Sequence, residues 1–258
     1  MGKVLLCCSA AGGSGKTTFA VNLGAALSAR GFKVLIMDLN MGRRNVDIYL
    51  GVEDRILFDL GDVMSGLCRI EKAIIPHDIC SGLFLISCPQ YREIEGFGPG
   101  HAKALYSKLR ADFDFVLVDC PVSLGSFLRT VSSGADAALM IVCPDYVSVR
   151  NTEALAEKLI SLGVEKLFYA VNRMNEKYAS ESSVPTLTFI TRTLSLPIIG
   201  IVSETPDIHM ANNAGCPIAA DIGSDMGRRF AQMAERLLGE DFLQEKEDGF
   251  RDPFEKEK

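Results

Sequence analysis

Three things are missing from this 258-residue chain, and each absence removes a class of function. There is no excess of positive charge. Its 27 Lys and Arg face 33 Asp and Glu, for a net charge of −6, so no broad basic face is offered to nucleic acid. Only Arg43-Arg44 and Arg228-Arg229 stand out as local basic pairs, and such pairs usually sit on a solvated surface. There is no Cys-x-x-Cys spacing among the 8 cysteines, which argues against a zinc or iron–sulfur scaffold. Cys7, Cys8, Cys88, Cys120 and Cys143 fall in or beside apolar runs and read as buried, reduced thiols. No apolar run reaches the ~20 residues of a membrane span. Lys3 is followed by only Val4–Cys8 before polar residues begin, too short for a signal peptide. A cytoplasmic protein without a membrane anchor of its own is expected.

Apolar runs recur along the chain at Val4–Cys8, Val34–Met37, Leu83–Ser87, Phe115–Val118, Ala137–Val142, Lys166–Val171 and Ile198–Val202. Helical patterns alternate with them at Thr17–Arg30, Ile56–Ser65, His101–Arg110, Leu124–Ser133, Val149–Leu162, Thr186–Leu194, Ile208–Ala214 and Asp221–Leu238. Near-continuous apolar strands separated by helices indicate an α/β fold, doubly wound, with a mainly parallel sheet covered by helices on both faces. No composition break divides residues 1–239, which read as one domain. Residues 240–258 carry eight acidic and four basic side chains and Pro253, and read as an acidic, disordered tail.

The chemistry is concentrated in Ala10-Ala11-Gly12-Gly13-Ser14-Gly15-Lys16-Thr17-Thr18, between the first strand and the first helix. A glycine-rich turn that opens a helix with Gly-Lys-Thr is a P-loop pattern in the right context. Gly12, Gly13, Ser14 and Gly15 let successive backbone N–H groups converge on one anion, and the helix N-terminus adds its dipole. Lys16 is the candidate for the β- and γ-phosphates, Thr17 for a Mg²⁺ ligand and Thr18 for a further phosphate contact. The alternative is a glycine-rich turn with no ligand, which does not explain Gly-Lys-Thr-Thr at a helix start.

Phe115–Asp119 is an apolar run ending in an acid, the pattern that carries a carboxylate to the metal at a sheet edge. A second strand ends at Asp38-Leu39-Asn40, so Asp38 and Asn40 reach the same edge and are catalytic candidates beside Lys16. Asn172 follows another strand, and its amide offers a donor and an acceptor to an adenine edge, with Arg173 next to it. Glu204-Thr205-Pro206-Asp207 is expected to close the base pocket, with Pro206 and Asp207 as contacts.

Taken together these residues resemble the MinD/ParA family of P-loop ATPases, closest to its MinD branch. Ala11–Thr18 is similar to the family's Lys-Gly-Gly-x-Gly-Lys-Thr-Thr, and Asp38–Asp47 to its Asp-x-Asp-x-Gly-x-Arg-Asn-x-Asp. Asp119-Cys120-Pro121 matches its Asp-x-Pro switch, and Pro144–Arg150 its Pro-Glu-x-x-Ser-x-Arg. Leu50–Glu53, Asn172-Arg173, Leu196–Gly200 and Glu235–Glu240 extend the likeness over about residues 3 to 240. The resemblance implies a P-loop NTPase sheet, ATP or ADP with Mg²⁺ held by Thr17 and Asp119, and an ATP-linked homodimer. It also implies a protein partner in division, pilus or polar machinery, with any membrane or pole location reached through that partner.

Four positions depart from the family pattern. The signature Lys that reaches across the dimer is Ala11, and the switch I Asp that orients the attacking water is Asn40. Ser123 replaces a Gly, and Asn151 an acidic residue. Phosphoryl transfer depends on neutralising the transferred group and on holding the water in line. Very slow or absent hydrolysis with binding retained is therefore expected. A non-hydrolysing localisation scaffold, resembling the CpaE/TadZ proteins of pilus systems, is the alternative. The family's basic amphipathic membrane anchor has no counterpart in the acidic tail, which anionic lipid would repel.

Overall fold

The computed structural model describes residues 2–122, 125, 127–175 and 184–239. Ser123 and the expected tail at 240–258 lie outside the described residues. Eight strands form one sheet: β1 (Lys3–Cys8), β2 (Val34–Asp38), β3 (Ile74–Pro76), β4 (Leu83–Ile86), β5 (Phe115–Asp119), β6 (Ala137–Val142), β7 (Lys166–Met174) and β8 (Ile198–Ser203). Their order is β3-β4-β2-β5-β1-β6-β7-β8, parallel throughout except for β3, which runs antiparallel to β4 at one edge. The central strands are buried on both faces, which is why they read as apolar runs without alternation.

From β1 the chain first builds the sheet toward β2 and β4, then crosses back to place β6, β7 and β8 on the other side. The loop after β1 therefore lies at the point where the winding reverses, the usual location of a ligand crevice in open α/β sheets. Register fixes what meets there. Cys7 and Asp38 both pair with Asp119, so three strand ends reach the same edge together.

Two apolar layers cover the sheet. One face packs against helices α1 (Lys16–Ser28) and α9 (Asp225–Gly239), with α2 (Val46–Tyr49) and α8 (Pro206–Asn213) near the cleft. Helix α1 is buried nearly all round because α9 covers the side that the sheet does not. The α9 stripe Met226, Phe230, Met233, Ala234 and Leu237 explains the fit, and Phe19 meets Phe230 edge to face at 5.4 Å. The other face packs against α3 (Leu60–Met64), α4 (Pro99–Leu109), α5 (Phe127–Ser132), α6 (Tyr146–Ser161) and α7 (Leu187–Leu194).

All seven strands expected from the sequence are present, and the differences concern short elements and helix starts. Strand β3 and helix α2 had no periodic signal, being three and four residues long. The helix expected from Ile56 begins only at Leu60, because Asp59 and Asp62 form a reciprocal capping box there. Helix α6 starts at Tyr146 rather than Val149, because the Asp145 carboxylate accepts the Ser148 N–H at 2.7 Å.

A P-loop cleft at the sheet edge

The turn between β1 and α1 is shaped by two glycines with positive φ, Gly13 at 71° and Gly15 at 99°. Gly15 caps α1 in a left-handed conformation, and Lys16 and Thr17, whose N–H groups open the helix, both line the cleft. The turn is tied from inside. The Ser14 hydroxyl donates to Ser9 Oγ at 2.7 Å, Lys16 Nζ donates to the same oxygen at 3.2 Å, and the Ser9 hydroxyl donates to the Ala11 carbonyl at 2.7 Å. From β7, Asn172 Nδ2 donates to the Ser14 carbonyl at 2.7 Å.

Beneath the loop, Thr17 Oγ1 donates to Asp119 Oδ2 at 2.7 Å, joining the first turn of α1 to the end of β5. Asp38 lies alongside on β2, and its Oδ1 accepts the Asn40 N–H at 2.8 Å. Asp38 Oδ2 and Asp119 Oδ1 are buried and have no hydrogen-bond partner among the described residues. Burial pushes the Asp119 carboxyl up to about 8, reinforced by the Asp38 charge and opposed by the Thr17 hydroxyl and Lys16. Burial likewise pushes Asp38 up to about 6, against the backbone N–H groups of Asn40 and Val46.

These orphaned oxygens test whether the site suits Mg²⁺. A hydroxyl already bonded to a carboxylate that has one free buried oxygen is a hard, oxygen-only donor set, which suits magnesium completed by phosphate and water. No cluster of three or more His, Cys, Asp or Glu capable of holding a metal by itself is found among the described residues. Thr17 and Asp119 are thus the protein groups that would hold the ion.

Above the carboxylates opens a cleft of about 280 Å³. One end is lined by Gly13, Gly15, Lys16, Thr17 and Thr18 with Asn40, Arg43, Asn45 and Tyr49 from the β2–α2 segment. The other carries Asn172 and Arg173 from β7, Ser203–Thr205 from the end of β8, and Ile208, His209 and Asn212 from α8. Arg173 has φ 57°, and the β7–β8 register slips between Val171 and Met174, a local irregularity at the two residues that line the cleft. Asn212 Nδ2 donates to Thr18 Oγ1 at 3.4 Å, linking α8 to α1.

Most residues singled out in the sequence therefore converge on one place. Gly12 and Ser14 are in the loop, though neither lines the cleft; Ser14 is buried with its hydroxyl turned inward. Asp38 and Asp119 lie below the cleft floor rather than on it. Pro206 and Asp207 do not line the cleft. Pro206 takes the first position of α8, and Asp207 lines a different, apolar depression with Ile79, Met210 and Cys216. The cleft-facing side of α8 belongs to Ile208, His209 and Asn212, which follow them and which sequence reading missed. Tyr49, Asn45 and Arg43 were also missed as cleft residues, although Asp38 and Asn40 just before them were placed at this edge.

Comparison with known proteins agrees with the geometry. The profile of the AAA domain family matches residues 2–166. The septum site-determining protein MinD of Thermotoga maritima is 31% identical over 242 residues, covering 93% of this chain and 89% of the relative. MinD of Bacillus subtilis is 31% identical over 246 residues, covering 93% and 90%. Among solved structures, the MinC:MinD cell division protein complex of Aquifex aeolicus superposes with a TM-score of 0.84 at 30% identity, covering 96% of this chain and 100% of that one. The cell division ATPase MinD of Pyrococcus furiosus gives 0.82 at 25% identity, covering 93% and 99%. With its P-loop, its paired strand-end carboxylates and this likeness along nearly its whole length, the chain belongs to the MinD/ParA family of P-loop ATPases.

Proposed function

We propose that this protein is a MinD-like spatial regulator that binds ATP with Mg²⁺ and hydrolyses it very slowly or not at all. One observation carries the reading. The groups that bind are assembled, whereas the two that drive turnover in the family are replaced. Lys16 and the glycine backbone face the cleft, and Thr17 is bonded to Asp119. Ala11 has no cation to offer, and Asn40 lines the cleft with an amide where a carboxylate would orient water.

In binding, Lys16 and the N–H groups at the start of α1 neutralise phosphate oxygens. Thr17 and Asp119 would hold a Mg²⁺ ion, which when bound would neutralise phosphate charge. Lys16 accounts for phosphate binding, but position 40 carries no carboxylate to hold a water in line with the terminal phosphorus. Such a protein remains in its ATP-bound form. In this family that state supports a nucleotide-linked homodimer, and a lasting dimer is a stable platform for a protein partner. The MinC:MinD complex of Aquifex aeolicus supports a partner of the division machinery. The Ala11 and Asn40 replacements suit a localisation scaffold of a pilus or secretion system equally well.

Titration calorimetry with Mg-ATP is the test, with GTP as competitor and Lys16→Ala as control. Heat with Mg-ATP that is lost in Lys16→Ala is expected, with ATP preferred over GTP. No heat in either protein would overturn the reading.

A further inference from the structure

The P-loop end of the cleft holds a second cation, beside Lys16, that the P-loop does not account for. Between β2 and α2 the loop turns at Gly42, with φ 74°, and presents Arg43 and Arg44 in succession. Arg44 is committed to the fold, with Nε 2.6 Å from Asp47 Oδ2 at the start of α2. The family pattern matched by Asp38–Asp47 places its own arginine at this position. Arg43 falls where that pattern accepts any residue, so it is an addition.

Arg43 has a different setting from Arg44. Its backbone N–H donates to the Asn40 carbonyl at 3.0 Å, and this turn sets it beside Asn40. Both residues line the same end of the cleft as Gly13, Lys16 and Thr17. The Arg43 side chain is exposed and makes no ion pair or hydrogen bond with any described residue. The acidic groups nearby are otherwise placed. Asp38 and Asp119 are beneath the floor, Asp47 holds Arg44, and Glu204 lines the opposite end.

We propose that the Arg43 guanidinium binds the terminal phosphate of the nucleotide from within the same subunit, replacing the cation that position 11 lacks. This rests on the nucleotide reading above and deepens it. A guanidinium presents parallel N–H donors that match phosphate oxygens, and as a long exposed side chain it moves to meet them when the ligand arrives. It recognises the group that distinguishes a nucleoside triphosphate from a diphosphate. Without a carboxylate at position 40 it holds that group and does not hydrolyse it. The site thereby becomes selective for the triphosphate and retains it.

The test is calorimetry on the full chain with Mg-ATP and Mg-ADP in parallel. Losing a charge-assisted contact should weaken Mg-ATP binding of Arg43→Ala by about tenfold or more. Mg-ADP binding should change by less than about twofold, since the diphosphate lacks the recognised group. Arg43→Lys should recover part of the loss. Arg55→Ala removes the same charge from an exposed pair with Asp78 and should leave both ligands unaffected. Equal weakening of ATP and ADP, an equal loss in Arg55→Ala, or no loss at all would overturn the inference. Failure of the wild type to bind either ligand would instead overturn the nucleotide reading itself, and this inference with it.

Discussion

Replacing Gly15 by alanine tests how the P-loop is held, without involving any ligand. Gly15 has φ 99°, a region that a residue with a Cβ enters at a cost of about 1–2 kcal/mol. The new methyl would also lie 2.2 Å from Asn172 Nδ2, the atom that donates to the Ser14 carbonyl. Asn172 must then move, and two buried polar groups lose their partner, for a further ~1–3 kcal/mol. The sum is about 2–5 kcal/mol, which in a protein of this size lowers the unfolding midpoint by roughly 5–15 °C. Chemical denaturation of a double-mutant cycle separates the two contributions. In an Asn172→Ala background the collision is gone, so Gly15→Ala should cost only its backbone strain. The coupling between the two positions should reach at least about 1 kcal/mol. Additivity within about 0.5 kcal/mol would refute the claim that Asn172 clamps the loop.

Two further outcomes are expected. Ala11→Lys combined with Asn40→Asp should raise phosphate release from near the detection limit by about 10³-fold or more, with each single change doing less because both groups act on one transition state; a wild-type rate typical of MinD ATPases would refute the reasoning. Asp119 is a carboxyl raised by burial, so its contribution to the stability of the nucleotide-free protein is best at low pH and is lost as pH climbs from about 4 toward about 8. Asp119→Asn should therefore raise the unfolding midpoint of the free protein, more at pH 8 than at pH 5, and an unchanged or lower midpoint at pH 8 would count against the burial penalty.

The parts that were legible in the sequence share a physical cause. A strand buried on both faces must be apolar throughout, so β1, β2, β4, β5, β6, β7 and β8 announced themselves. A tight turn into a helix start needs glycines with positive φ, so the positions of Gly13 and Gly15 were readable. Strand-end carboxylates follow from the same logic, and Asp38 and Asp119 do stand side by side. What was not legible depends on how elements are rotated. Nothing in Glu204–Asp207 tells which side of α8 turns toward the cleft, and the answer, Ile208, His209 and Asn212, emerges only when the helix packs. Asn172 is another case. Its amide was expected at a base edge, and in the structure its Nδ2 is bonded to the Ser14 carbonyl of the P-loop.

The pattern of retained and replaced residues has a structural logic of its own. The network that shapes the P-loop runs through Ser9, Ser14, Lys16 and Asn172, and its contact with Ala11 is to a backbone carbonyl. Asn40 likewise meets Asp38 through its backbone N–H. Side chains at 11 and 40 are therefore outside the framework that positions Lys16 and Thr17, and their identity can change without disturbing the cradle. The reverse holds for Asp119. Its carboxylate is bonded to Thr17 and leaves one oxygen buried and unpaired among the described residues, an arrangement that costs stability in the free protein. A fold relieved of every demand for nucleotide would gain by replacing that residue with a neutral one. Its presence beside Lys16 and Thr17 therefore supports the proposed Mg-nucleotide site, where that carboxylate would have a partner.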